Sequence, residues 1–138
     1  MKYTADTSFI IGLFVDEPRT SVAKELFGRL KAKKEKLFIP AQTIVEVIYV
    51  LEKFYKLERQ KVAEYVFSIL GTSIFIVEKY RMFYKVIEVY KENPSINLGD
   101  IIIAEESKEK GISTILTFDS HFEKLGLKIF PELKQQPR

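Results

Sequence analysis

Four carboxylates sit where their surroundings invite chemistry: Asp6, Glu46, Asp100 and Asp119. Asp6 directly follows residues 2–5, a short run that reads as a strand. Asp119 directly follows residues 112–118, a longer one. Glu46 interrupts the run Thr43-Ile44-Val45-Glu46-Val47-Ile48-Tyr49-Val50-Leu51, so it is expected to be at least partly buried. Asp100 opens Ile101-Ile102-Ile103-Ala104. Two like charges about 4 Å apart repel by about 4 kcal/mol at an effective dielectric near 20. Carboxylates that converge unpaired must therefore shift their pKa values or bind cations. Magnesium meets this need with one or two carboxylates per ion plus water and phosphate oxygens. A pair of ions about 4 Å apart can activate a water and stabilise the leaving oxygen of a phosphodiester.

Each acid also has an ordinary explanation. Aspartate favours turns and helix caps, which accounts for Asp6 or Asp119 taken singly. Glu46 can pair with a lysine or arginine, or lie on an exposed stripe of its helix. Asn97 and Asp100 have the spacing of a variant capping box, with Asp in place of the usual Glu or Gln. A carboxylate at a helix N-terminus is favourable in any case.

Composition narrows the chemistry. With 138 residues, 46% hydrophobic and 30% charged, the sequence reads as one globular domain over residues 1–138. The absence of cysteine excludes a disulfide scaffold, a thiolate zinc site and a cysteine nucleophile. A single histidine, His121, excludes a multi-histidine metal site. Any metal is then held mainly by oxygen, which favours magnesium or manganese. A metal-activated water needs no histidine base, so a surface or supporting role is expected for His121. The net charge of +3 permits an acidic partner such as nucleic acid without demanding one.

The longest apolar stretches, residues 9–15 and 43–51, fall well short of the roughly 20 residues that span a bilayer. Met1-Lys2-Tyr3-Thr4-Ala5-Asp6 carries no small-residue cleavage site. The expected setting is the cytoplasm, with no membrane partner.

The elements that must position the acids alternate. Residues 2–5 give a first strand and 8–15 a short helix. Ala23, Leu26, Phe27 and Leu30 mark one face of a second helix, which runs out in the basic segment 29–36. Leu37-Phe38-Ile39 is a strand, and Pro40 opens a helix to about residue 56 as its first-turn proline. Val62, Tyr65, Val66 and Ile69 mark a helix ended by Gly71, and residues 74–77 form a third strand. Tyr80, Phe83, Tyr84 and Ile87 line a further helix, stopped near Asn93-Pro94. A helix over 97–110, a strand over 112–118, a short helix from Ser120 and a fifth strand over 128–130 precede a polar tail. Such alternation predicts a parallel sheet covered on both faces. In sheets of this kind, sites form at the carboxyl ends of the strands.

In Ala5-Asp6-Thr7-Ser8, Ile39-Pro40-Ala41 followed by Glu46, Leu98-Gly99-Asp100-Ile101-Ile102-Ile103-Ala104, and Leu116-Thr117-Phe118-Asp119-Ser120-His121-Phe122, the sequence resembles the PIN domains, and most of all the VapC-type toxin ribonucleases. No one segment is specific; the ordered set, at this length, is. The resemblance implies a three-layer α/β/α fold with a central parallel sheet of four to five strands. It implies that Asp6, Glu46, Asp100 and Asp119 hold Mg2+ or Mn2+, with metal-bound water attacking an RNA phosphodiester. Ser8 and Thr117 match small polar residues beside the acids and would orient carboxylates or water. It further implies a homodimer and a VapB-like antitoxin laid across the active face, for which the helices over 43–54 and 62–69 offer apolar surface.

Other readings stay open. A PIN-fold nuclease can serve RNA processing without an antitoxin, and a non-catalytic module can keep the fold to bind protein. A signalling receiver needs an acidic pair after its first strand and a phosphate-accepting Asp after a central one, whereas Asp6 stands alone and Ile76-Val77-Glu78 offers no Asp. A haloacid dehalogenase-like phosphatase needs a second Asp that Asp6-Thr7-Ser8 lacks. The basic segment 29–36 can attract RNA phosphates or simply be a solvated helix end.

Overall fold

The structure is a computed structural model that describes residues 1–135. The last three residues of the expected polar tail, Gln136, Pro137 and Arg138, lie outside the described residues. The chain divides into two compact units, Met1–Tyr84 and Lys85–Arg138.

The first unit is built on three parallel strands, β1 (Tyr3–Thr4), β2 (Leu37–Ile39) and β3 (Phe75–Val77), in spatial order β1-β2-β3. Tyr3 lies opposite Leu37, and Leu37 opposite Phe75. Parallel neighbours need long crossovers, and helices supply them. Helices α1 (Thr7–Phe14) and α2 (Thr20–Ala32) join β1 to β2. Helix α3 (Ala41–Tyr49), a π-helical segment (Val50–Phe54) and α4 (Arg59–Leu70) join β2 to β3. Ile10, Ile39, Ile44, Val47, Ile48, Leu51, Val62, Val66 and Ile69 are buried, as their periodicity predicts.

Two contacts fix the carboxyl edge of this sheet. The buried Thr43 hydroxyl donates to the Ala5 carbonyl at 3.0 Å, tying α3 to the end of β1. The Glu78 carboxylate, one residue beyond β3, accepts from the Ala41 N–H at 2.8 Å. Pro40 therefore sits at the N-cap of α3, one place before the first-turn position expected of it. Proline brings no capping side chain, and Glu78 provides the acceptor from another element. The helix expected to run to residue 56 changes register instead. The Tyr55 N–H reaches back five residues to the Val50 carbonyl, and Lys56 adopts a left-handed φ of 57° that ends the run.

Helix α5 (Tyr80–Glu92) follows β3 and runs past the division of the chain. Its buried residues are Met82, Phe83, Val86, Ile87 and Tyr90. Tyr80 and Tyr84, expected on that buried face, are 46% and 39% exposed, and Tyr84 stacks on Phe67.

The second unit contains α6 (Leu98–Glu109), β4 (Thr114–Ile115), a 3-10 turn (Ser120–Glu123), β5 (Lys128–Ile129) and α7 (Pro131–Lys134). Strands β4 and β5 pair in parallel, Thr114 with Lys128 and Ile115 with Ile129. The chain is thus a mixed α/β protein with parallel strands, the class expected. Its five strands form a ladder of three and a ladder of two, where one sheet of four to five was expected. The apolar run 112–118 looked like one long strand, but only Thr114–Ile115 finds a strand partner among the described residues; Leu116 and Phe118 are 73% and 56% exposed.

Candidate functional site

In the first unit, Asp6 is the N-cap of α1. Its Oδ1 accepts from the Ser8 hydroxyl at 2.8 Å and from the Phe9 N–H at 3.3 Å. The Ser8 hydroxyl first, and the Phe9 N–H second, hold this carboxyl below its ordinary range. Glu46 projects from α3. Its Oε2 accepts from the Thr7 hydroxyl at 2.7 Å, and its Oε1 accepts from Gln42 at 3.2 Å. These two bonds, Thr7 first, lower its pKa, while the negative charge of Asp6 works in the opposite direction. Consecutive residues Thr7 and Ser8 thus steady two different carboxylates.

Glu46 is exposed, contrary to the burial expected from its apolar neighbours. The buried stripe of α3 is Thr43, Ile44, Val47 and Ile48, and Glu46 falls on the opposite side of the helix. Its bonds come from uncharged donors, where an ion pair was the ordinary alternative. Neither Thr7 nor Gln42 was singled out in the sequence. Gln42 was findable, because it lies one helical turn before Glu46.

In the second unit, Asn97 caps α6 by accepting from the Asp100 N–H at 2.9 Å, as the capping-box spacing predicts. The Asp100 carboxylate is engaged elsewhere: its Oδ2 lies 2.7 Å from His121 Nε2. Asp119 caps the 3-10 turn, its Oδ1 accepting from the His121 N–H at 3.2 Å, and the same oxygen lies 2.7 Å from His121 Nδ1. The Asp119 N–H donates to the Thr117 hydroxyl at 3.0 Å. The imidazole therefore stands between two carboxylates. One ligand atom from each of Asp100, Asp119 and His121 lies within 4.8 Å of the others. Ionised carboxylates only accept, and a neutral imidazole donates from one nitrogen alone. Both contacts are hydrogen bonds at once only when both ring nitrogens carry protons. The supporting role expected of His121 understated this position.

Donors in both units suit a hard or borderline cation. They are carboxylate oxygens, several already steadied by hydroxyl or N–H groups, with one imidazole and no thiolate.

Beside Asp6 the first unit opens a groove of about 700 Å3, walled by Ile11, Tyr49, Val50, Phe54 and Tyr55 and rimmed by Arg19. Tyr49 and Phe54 are 63% and 74% exposed. The π-helical segment supplies half of this wall. The apolar surface expected on α4 is absent from it: Val62, Val66 and Ile69 are core. The basic segment 29–36 borders another cavity, of about 470 Å3, through Arg29 and Lys33. Among the described residues, no helix is long and apolar enough to cross a membrane.

A family model described as PIN domain matches residues 3–128. A protein named VapC ribonuclease from Aquifex aeolicus (strain VF5) is 33% identical over 128 residues, which cover 93% of this chain and 94% of that one. No solved structure gives a significant match.

Proposed function

This chain belongs to the PIN domain family, and we propose that it is a metal-dependent endoribonuclease that hydrolyses RNA phosphodiester bonds. Residues 1–138 act as one nuclease domain. Asp6, Glu46, Asp100 and Asp119 serve as the metal-holding acids, with Ser8 and Thr117 orienting Asp6 and Asp119. The observation that carries this reading is the pairing of Asp6 and Glu46 with hydroxyl donors on adjacent residues, Ser8 and Thr7. Both carboxylates are thereby kept ionised and aimed, which is the preparation a cation needs.

When bound, Mg2+ or Mn2+ supplies activation of a water and neutralisation of charge on phosphate oxygens. The protein's part is to place the acids and to keep protons off them. Ser8 and Phe9 do so for Asp6, and Thr7 and Gln42 for Glu46.

The similarity to a VapC ribonuclease supports a further step: the chain is the toxin of a toxin–antitoxin pair, working in the cytoplasm as a homodimer. The exposed Tyr49–Phe54 groove next to Asp6 fits an apolar segment of a VapB-like antitoxin laid against the acids. An RNA-processing nuclease without an antitoxin would leave those aromatic rings without a partner.

The test is direct. Pure protein is incubated with a mixed pool of structured RNAs in magnesium, manganese or EDTA, beside Asp6→Asn. Cleavage that needs metal and is lost in the variant is the expected result. Failure to cut any RNA, with no metal-induced rise in Tm, overturns the reading and favours a protein-binding module.

A further inference from the structure

We infer that His121 is a direct nitrogen ligand of the ion held by Asp100 and Asp119, so that this cluster is a two-carboxylate, one-imidazole site that prefers a first-row transition ion such as Mn2+ over Mg2+. The inference rests on the metal-dependent reading above and adds a ligand to it.

The geometry carries it. His121 Nε2 and Nδ1 each lie 2.7 Å from a carboxylate oxygen, one of Asp100 and one of Asp119. An ion with bonds of about 2.1 Å holds its ligand atoms roughly 3 to 4 Å apart, and the three donors here already fall within 4.8 Å of one another. Only small movements separate the present arrangement from a coordinated one. The supports are short and local. Asp119 and His121 belong to the same 3-10 turn, joined by the backbone bond from the His121 N–H, and Asp100 is set by the Asn97 cap. The His121 side chain is 25% exposed and the two carboxylates 20%, so the cluster is sheltered yet reachable by an ion. An imidazole serving only the surface would not have both nitrogens against metal-binding acids. Nitrogen donors shift preference away from magnesium, which favours an all-oxygen shell.

The sequence makes the test unusually clean. His121 is the only histidine in the chain, so any imidazole coupling in untagged protein belongs to it. Untagged protein is loaded with Mn2+ and studied by pulsed electron paramagnetic resonance for 14N coupling, and Mn2+ and Mg2+ affinities are measured by calorimetry. The expected result is a directly bound imidazole nitrogen in the wild-type protein. In His121→Ala the coupling disappears and Mn2+ binds about tenfold more weakly, while Mg2+ affinity falls less. In His121→Asp both ions bind well without the nitrogen signal, and the preference moves toward Mg2+. Mn2+ bound with only oxygen and water in its shell, or an unchanged Mn2+ to Mg2+ ratio in His121→Ala, overturns the inference and leaves the metal-dependent nuclease intact. No Mn2+ binding at all overturns both. The wild-type spectrum decides the matter even where a variant fails to fold.

Discussion

Thr7 donates its hydroxyl to Glu46 at 2.7 Å across 39 positions of sequence, joining the start of α1 to the middle of α3. The residue after it, Ser8, does the same for Asp6. One turn of helix therefore sets the orientation and charge of two acids on different elements.

Thr7→Val removes that hydroxyl while keeping its shape. We predict a loss of RNA cleavage of about tenfold or more, in the range measured when groups supporting metal ligands are removed. Tm should hold nearly constant, because Glu46 is exposed and its bond to Thr7 lies near the surface. Thr7→Ser should restore most of the activity. Equal activity in Thr7→Val and wild type would show that Glu46 needs no orienting.

Asp6 and Glu46 have folded-state pKa values below their ordinary 3.8 and 4.5. A lowered pKa means a contribution to stability that is complete above the unfolded value and lost as pH falls through the folded one. We predict that acid unfolding of the metal-free protein draws on these groups only below about pH 4.5. Ser8→Ala should move the Asp6 titration upward. Carboxyl chemical shifts followed by NMR would report this directly, and an unmoved Asp6 titration would contradict the assignment to Ser8.

Residues on the two sides of α3 should separate function from stability. Ile44 is fully buried, and Ile44→Ala should cost about 2–5 kcal/mol in urea unfolding. Glu46→Gln should change stability little while abolishing metal-dependent cleavage. A large stability loss in Glu46→Gln would mean that Glu46 serves the fold.

Capping gives a fourth prediction. Glu78→Ala leaves the Ala41 N–H without its carboxylate partner. Helix caps of this kind contribute about 0.5–2 kcal/mol, and the exposed setting puts the expected loss near the lower end. Because α3 also carries Glu46, cleavage should fall with it. Urea unfolding with an unchanged midpoint would show that the contact contributes nothing.

What the sequence made legible follows the range of the interactions involved. Asp6 and Asp119 were picked out because each directly follows an apolar run, and the structure makes each the N-cap of the next helical turn. The Asn97 cap on Asp100 was readable from a spacing of three. Glu46 was chosen for an expected burial that the structure does not show, since apolar neighbours on a helix bury only one of its sides. The Thr7–Glu46 bond and the His121–Asp100 contact, 39 and 21 positions apart, leave no local trace. Strand lengths failed for a related reason: apolar character extends over 112–118, but only two residues there have a strand to pair with. The π-helical segment escaped because one extra residue per turn barely disturbs apolar periodicity over five positions.

The Glu78–Ala41 contact also bears on the order in which the protein is made. Helix α3 begins 37 positions before the carboxylate that completes its first turn. During synthesis, the helix that carries Glu46 emerges from the ribosome uncapped. It gains its last stabilising acceptor only once β3 has been added. A chain cut short before residue 78 would carry the acids Asp6 and Glu46 on a helix that frays at its start. Ribosome-arrested chains ending before and after residue 78 has cleared the exit tunnel, compared by protease sensitivity around Ala41, would show whether the helix stays open until β3 arrives. Protection that is already complete in the shorter chain would show that α3 settles without Glu78.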